Sequence, residues 1–379
     1  MVDLLNRNLL ALHPSGIRRF TALARSTPDC AMLTIGEPDF DTPAPIRAAC
    51  KAALDAGKTH YPPNVGEPAL RAAICDFEAA HSGLDYTPDE VIVTSGATEA
   101  LYTAITGVLN PGDEVIIPLP AFGLYESIVT MAGGRCVFLD TAKDGFQITP
   151  QAIAAAMSPR TKLIILNSPN NPTGVVYTQA SLQAVHDAAA GKPIFVLCDD
   201  VYARLVYAPC PQFARYRDLR SQILVVQSFS KPYAMTGWRI GYLMGDLPVI
   251  RQLALLHAAT VVSVTAFGQD ACLQALKTDV SAMVDTYRAR RDAICARIAG
   301  MGLSAVQPEG AFYIFPSIGA TGLDAETFCT RLITEGKAAG VPGTCFGTDG
   351  YVRFSFCYAL PESTRAMDRL EAFLDRLRG

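Results

Sequence analysis

The sequence predicts an α/β protein built on a mostly parallel sheet with helices on both faces. Three observations carry that prediction. Short apolar runs recur along the first two thirds of the chain, they alternate with helix-like stretches, and they lack polar–apolar alternation. A strand with one wet face alternates, whereas one that is apolar throughout is buried on both faces, the habit of parallel sheets. Strands alternating with helices in sequence point to the α/β class.

Seven strands follow in order. Val91-Ile92-Val93-Thr94 opens the series, and an alanine-rich stretch from about Thr98 to Leu109 reads as the helix after it. Runs at 114–118, 136–139, 163–167, 194–198, 223–228 and 240–244 complete the set. Asn110-Pro111-Gly112-Asp113 and Ala132-Gly133-Gly134 are the turns that separate early elements. From about residue 272 the pattern changes. A charged helix near 281–299 leads through Pro308-Glu309-Gly310 into a different mixture of strands and helices. The expected division is an N-terminal arm with part of a small domain (1–47), a large domain (48–271) and a smaller α+β domain (272–379), with a cleft between the two domains.

Composition narrows the function. Half of the 379 residues are hydrophobic, 18% are charged and the net charge is −4, so no electrostatic grip on nucleic acid or membrane lipid is expected. Asp3, Arg7 and His13 interrupt the N-terminus, which leaves no signal-peptide core. The uncharged stretch from Leu253 to Asp270 contains His257 and several hydroxyls, and reads as a buried helix rather than a membrane span. The 11 cysteines include no C-x-x-C, and Cys136, Cys198 and Cys272 sit in apolar runs as small core residues. An odd count without a secretory signal predicts a reducing cytoplasm. No histidine stands at ligand spacing from a cysteine, so no metal site is expected.

The chemistry is expected where the strands end, because ligands of open α/β sheets bind beyond the carboxyl edge. The first strand runs into Ser95-Gly96-Ala97-Thr98 at a helix start, where free N–H groups suit an anion. The fourth runs into "NSPNNPTG" at 167–174, a stiff turn that fixes asparagine amides. The fifth ends at Asp199-Asp200, followed by Tyr202. The sixth runs into Ser228-Phe229-Ser230-Lys231. Lys231 is the one lysine of eight in a serine-rich turn after a buried strand. A phosphate cradle, an amide, a carboxylate, a phenol and an amine form the set that pyridoxal phosphate requires.

With these motifs in order and at these spacings, the sequence resembles the class I/II aminotransferases of fold type I, the aspartate aminotransferase-like group. The matches run from Gly36-Glu37-Pro38-Asp39-Phe40 to Tyr351-Val352-Arg353-Phe354-Ser355, with "SPNNPTG" and "SFSK…GWR" the most specific. The resemblance implies pyridoxal 5′-phosphate as cofactor and a two-domain fold with a seven-stranded sheet. It makes Lys231 the Schiff-base lysine. Arg239, Ser228, Ser230, Ala97 and Thr98 would hold the phosphate, Asp199 the ring nitrogen, and Asn171 and Tyr202 the phenolic oxygen, with Phe122 stacked on the ring. Arg353 would bind the substrate carboxylate, helped by the Gly36 backbone, and Ile17 would close over the substrate. Tyr61 resembles the tyrosine that reaches the phosphate of a neighbouring subunit, which implies a homodimer. Two positions depart from the family habit: Asp200 stands where glutamate is common, and Pro232 directly follows Lys231.

The implied activity is transfer of an amino group from an L-amino acid to a 2-oxo acid, 2-oxoglutarate by analogy, with ping-pong kinetics. Lys231, Asp199 and Tyr202 are the implied catalytic residues. The alternatives are a pyridoxal-phosphate C–S β-lyase, disfavoured by Thr173-Gly174-Val175-Val176-Tyr177 after the Asn-Pro turn, and a non-catalytic regulatory module that binds the cofactor. A nicotinamide-dependent dehydrogenase lacks its G-x-G-x-x-G after the first core strand.

Overall fold

The structure is a computed structural model that describes residues 1–378. Its strands, in chain order, are β1 (Ala31–Met32), β2 (Val91–Thr94), β3 (Glu114–Leu119), β4 (Arg135–Asp140), β5 (Thr161–Asn167) and β6 (Phe195–Asp199). They continue as β7 (Ile223–Ser228), β8 (Gly241–Gly245), β9 (Tyr313–Ile314), β10 (Ala338–Ala339), β11 (Val341–Pro342) and β12 (Val352–Ser355). The seven runs predicted from sequence form one sheet in the order β2-β8-β7-β6-β5-β3-β4. All neighbours are parallel except β8, which runs antiparallel to both β2 and β7.

Both faces of this sheet are buried, and the reason is visible along single strands. Val91 and Val93 enter one apolar core while Ile92 enters the other. Val196 and Cys198 oppose Leu197 in the same way, as do Ile223 and Val225 against Leu224 and Val226. Successive side chains point to opposite faces, so a strand flanked by two cores is apolar at every position.

A further core lies beside the sheet. It gathers the helices Ser281–Gly300 and Leu360–Arg378, the antiparallel sheet β11-β12-β9, and the parallel pair β1–β10. The N-terminal segment joins it through Phe20, Ala24, Ala31 and Leu33. The helix Ala266–Ala275 straddles residue 272, and its Ala271, Cys272 and Ala275 belong to a core of the large sheet. Beyond that helix the chain crosses to the neighbouring core in the Ser281–Gly300 helix, and Tyr202 and Leu205, after β6, already reach into it.

Two expectations need correction. The stretch Leu253–Asp270 is not one buried helix but parts of two, Leu247–Val261 and Ala266–Ala275, with Leu255 66% and Val262 56% exposed. The break falls in Val261-Val262-Ser263-Val264-Thr265, a run of β-branched and hydroxyl residues with poor helix propensity, and Val262 adopts φ 63°. Cys136 is only half-buried, because β4 is the sheet's edge strand, while Cys198 and Cys272 are fully buried. No described helix is long and apolar enough to cross a membrane.

The join between sheet and first helix is tight at Gly241. A Cβ there would stand 2.6 Å from the Gln227 carbonyl oxygen and 2.9 Å from the Ala97 nitrogen, both backbone atoms. Gly237, in the same region, has nothing within 4 Å of its Cβ position. In urea unfolding, Gly241→Ala is expected to cost about 1–3 kcal/mol through overpacking. Gly237→Ala should stay within about 1 kcal/mol of the parent or gain slightly. Equal effects at the two positions would refute this reading of the join.

Candidate active site

The carboxyl ends of β5, β6 and β7 lie level, because Asn167 pairs with Asp199 and Asp199 with Val226 in register. These ends floor a cavity of about 880 Å³. Its lining gathers nearly every residue singled out from the sequence. The sheet side gives Asp199, Tyr202, Ser228, Ser230 and Lys231, with Ala97 and Thr98 from the first helix. Phe122, Asn171 and Arg239 come from connecting segments, and Ile17, Gly36 and Arg353 from the side of the neighbouring core.

Tyr61 is the exception. It does not line this cavity and is 88% exposed.

Asp199 is the centre of the floor. It is 3% exposed, and its Oδ2 accepts a 2.5 Å hydrogen bond from the Tyr125 hydroxyl. Its other oxygen, Oδ1, is buried without a partner. Burial pushes the Asp199 carboxyl up to about 6, against the pull of the Tyr125 hydroxyl and the Val201 N–H. Asp200, next to it, is buried and does not line the cavity. Burial first, then the nearby Asp199 and Glu78 charges, push it well above the ordinary carboxylate range.

Lys231 stands above this floor. Its Nζ donates to the Gly36 carbonyl at 2.6 Å, so Gly36 presents an acceptor to the lysine where sequence reading expected a donor to substrate. Pro232 does not keep the amine out of the cavity. Burial lowers the Lys231 pKa to about 8, with smaller upward pulls from Cys357 and Glu37.

The anion cradle has its own geometry. Gly96 adopts φ +76°, and a Cβ there would lie 2.7 Å from an Arg239 guanidinium nitrogen. The missing side chain therefore lets the guanidinium lie against the start of the Gly96–Val108 helix, beside Ala97 and Thr98. Arg239 also takes a left-handed backbone, φ 56°, and donates to the Thr236 carbonyl at 3.0 Å.

Arg353 is 2% exposed. It donates to Asn171 Oδ1 at 2.9 Å and to the Thr34 carbonyl at 2.5 Å, and packs over the Tyr313 and Phe346 rings at 4.6 and 4.9 Å. Its Nε has no partner. Asn171 thus spends its oxygen on Arg353 and keeps its amide N–H groups for the cavity, while its own backbone N–H donates to Asn167 Oδ1 at 2.8 Å. The Tyr202 and Tyr313 hydroxyls share a 2.8 Å hydrogen bond.

Tyr125 and Tyr313 were not foreseen as site residues, whereas Asn167 was expected to hold its amide over the pocket; it lines the cavity, with its Nδ2 donating to the Asp199 carbonyl at 2.9 Å. Asp199 at a buried strand end signals that some donor exists without saying which. Tyr313, within Ala311-Phe312-Tyr313-Ile314-Phe315, is indistinguishable by pattern from a core aromatic.

These observations test the fit of pyridoxal phosphate. An orphaned carboxylate oxygen suits a protonated ring nitrogen, and a guanidinium in a glycine cradle at a helix start suits a phosphate. An amine with a lowered pKa suits the aldehyde. The donor set fits the group.

Two outcomes follow. The neutral amine is the nucleophile, so the rate at which coenzyme-free protein takes up pyridoxal phosphate should rise with pH and level off above about 8, which stopped-flow absorbance can follow. A rise continuing to the ordinary lysine range would contradict the burial argument. Tyr125→Phe removes the donor that favours ionised Asp199, and should weaken coenzyme affinity about tenfold in a titration.

Comparisons with known proteins identify the family. The family described as Aminotransferase class I and II matches residues 28–370. A Bacillus subtilis protein named as a probable N-acetyl-LL-diaminopimelate aminotransferase is 37% identical over 380 residues, spanning 99% of this chain and 96% of its own. The aspartate aminotransferase of Pyrococcus horikoshii is 36% identical, spanning 97% and 96%. The solved structure of Thermus thermophilus aspartate aminotransferase with maleate superposes with a TM-score of 0.92 at 36% identity, covering 97% of this chain and 99% of that one. The chain is therefore a fold type I, pyridoxal-phosphate-dependent enzyme, and it belongs to the class I and II aminotransferase family.

Proposed function

We propose that the enzyme moves the amino group of an L-amino acid to a 2-oxo acid, 2-oxoglutarate by default, in two half-reactions that share one site. The observation that carries this reading is the convergence of the Lys231 amine, the unpaired Asp199 oxygen and the Arg353 guanidinium in one cavity. Relatives are named for aspartate, aromatic amino acids and N-acetyl-LL-diaminopimelate, so family membership leaves the donor open.

Bound pyridoxal phosphate supplies an aldehyde that condenses with amines and a cationic ring that draws electrons from the substrate Cα. The chain's residues do the rest. Asp199 keeps the ring nitrogen protonated, since a carboxylate beside it favours the cationic form. Arg239, Ser228, Ser230, Thr98 and the Ala97 N–H would hold the phosphate. Phe122 would cover the ring, and Asn171 and Tyr202 would donate to the phenolic oxygen. Arg353 takes the substrate carboxylate on its guanidinium and so fixes which bond of Cα faces the ring. Lys231 Nζ, which borders the same cavity, would take the Cα proton as general base. Gly36 and Ile17 border the substrate end of the same cavity. Tyr61, outside its own cavity, is free to reach the phosphate of a second copy in a homodimer.

Expected kinetics test the reading. Initial rates with varied amino acid and 2-oxoglutarate should give parallel double-reciprocal lines; intersecting lines would exclude the two-step scheme. Lys231→Ala should lower kcat by at least about 10³-fold, at the upper part of the range for loss of a general base. Arg353→Lys keeps the charge but loses the planar fork, and kcat/KM should fall about 10- to 100-fold for every donor alike.

A further inference from the structure

Tyr313 stands where the sheet side of the cavity meets the neighbouring core. It is 2% exposed and lines the cavity from β9. Ser355 lies opposite it on β12, and Arg353, two residues earlier on the same face, sits diagonally. That register lays the Arg353 guanidinium over the Tyr313 ring at 4.6 Å. The Tyr313 hydroxyl rests on the Gly36 Cα, where a Cβ would collide with it. Its one polar partner among the described residues is the Tyr202 hydroxyl, at 2.8 Å. Tyr202 is fixed in turn, with its ring edge-on to Phe312 and Tyr313 at centroid distances of 5.6 and 5.7 Å.

Each hydroxyl carries one proton, and the pair shares a single hydrogen bond, so the direction of that bond matters. If Tyr202 donated, the Tyr313 proton would be left against the Gly36 Cα with no acceptor, and Tyr202 would have nothing to offer the cavity. If Tyr313 donates, its proton goes to the Tyr202 oxygen and the Tyr202 proton points into the cavity. Acidity favours the same direction. Burial raises both phenols, but the Arg353 guanidinium over its ring is the main pull back on Tyr313, whereas at Tyr202 burial and the neighbouring Tyr313 outweigh it. Tyr313 is therefore the more acidic hydroxyl and the better donor. A hydroxyl that accepts a hydrogen bond also donates more strongly, because bonds in a chain polarise one another.

We infer that Tyr313 is a positioning residue: by donating to Tyr202 it commits the Tyr202 proton to the phenolic oxygen of the coenzyme. The inference rests on the proposed role of Tyr202 and adds the residue that stands behind it. The ring under the Arg353 guanidinium and the phenol that faces the coenzyme then belong to one hydrogen-bonded chain.

The test reads the coenzyme rather than turnover. Coenzyme bound through Lys231 keeps one titratable proton beside its phenolic oxygen, and its absorbance changes when that proton leaves. A donor to that oxygen stabilises the deprotonated form, so losing the donor raises the midpoint of an absorbance titration against pH. Y202F should raise the midpoint by about 1–2 units, the size of a hydrogen bond to a charged oxygen. Y313F should raise it by about 0.5 unit, because it weakens that bond without removing it. Y202F/Y313F should sit where Y202F alone sits, since Tyr313 acts only through Tyr202. Tyr287 supplies the control: its hydroxyl is buried in the same core without a partner, and Y287F should leave the midpoint in place. 3-Fluorotyrosine at position 313 keeps the hydroxyl and makes it more acidic, so the midpoint should fall, and this readout decides the matter if Y313F does not fold. A midpoint that does not rise in Y313F, an equal rise in Y287F, a rise in Y202F/Y313F beyond that of Y202F, or no fall with fluorotyrosine would overturn the inference and leave the role of Tyr202 intact. An unmoved midpoint in Y202F would remove that role and the inference with it.

Discussion

One unpaired oxygen organises this protein. Asp199 Oδ1 is buried at the end of a strand that is apolar on both faces, with no donor within reach. A carboxylate in that position is costly to ionise, and burial accordingly holds Asp199 above its ordinary range. The same dry surroundings lower the amine of Lys231. The two groups are thus kept near the edge of ionisation by one cause. On the proposed reading, a bound cationic ring would relieve both, because it would offer Asp199 an opposite charge and Lys231 an electrophile.

The cost is confined by the way the sheet ends. Parallel strands in register bring Asn167, Asp199 and Ser228 to one edge, and the helix that follows β2 turns its N–H groups to the same side. The neighbouring core adds what the sheet cannot. Arg353 comes from β12, in the antiparallel sheet, and crosses to Asn171 in the turn after β5. The guanidinium is held between two aromatic rings and two oxygens, so its direction is set before any substrate enters. The α-carboxylate grip proposed for Arg353 would therefore join the large sheet to the neighbouring core.

How much of this was legible in the sequence depended on whether a residue's role was local. The seven strands were readable because burial on both faces leaves an uninterrupted apolar run. Lys231, Asp199 and Asn171 were readable because strand ends and turn residues mark their positions within a few neighbours. Tyr125 and Tyr313 were not, because what makes them site residues is a contact across 74 and 111 positions, to Asp199 and Tyr202. The split of the Leu253–Asp270 stretch was visible in its β-branched run, but the length of the uncharged segment outweighed it.

The pairing of β1 with β10 carries a consequence for how the chain is made. Ala31 lies opposite Ala338 and Met32 opposite Ala339, so a segment near the beginning hydrogen-bonds to one near the end. On the ribosome, the first strand has no partner until residues 338–339 have emerged. The central sheet, whose strands lie between residues 91 and 245, has all its pieces long before that. Closing so long a loop is entropically slow. A nascent chain should therefore assemble the floor of the cavity first, and acquire the Arg353 guanidinium that faces it only later.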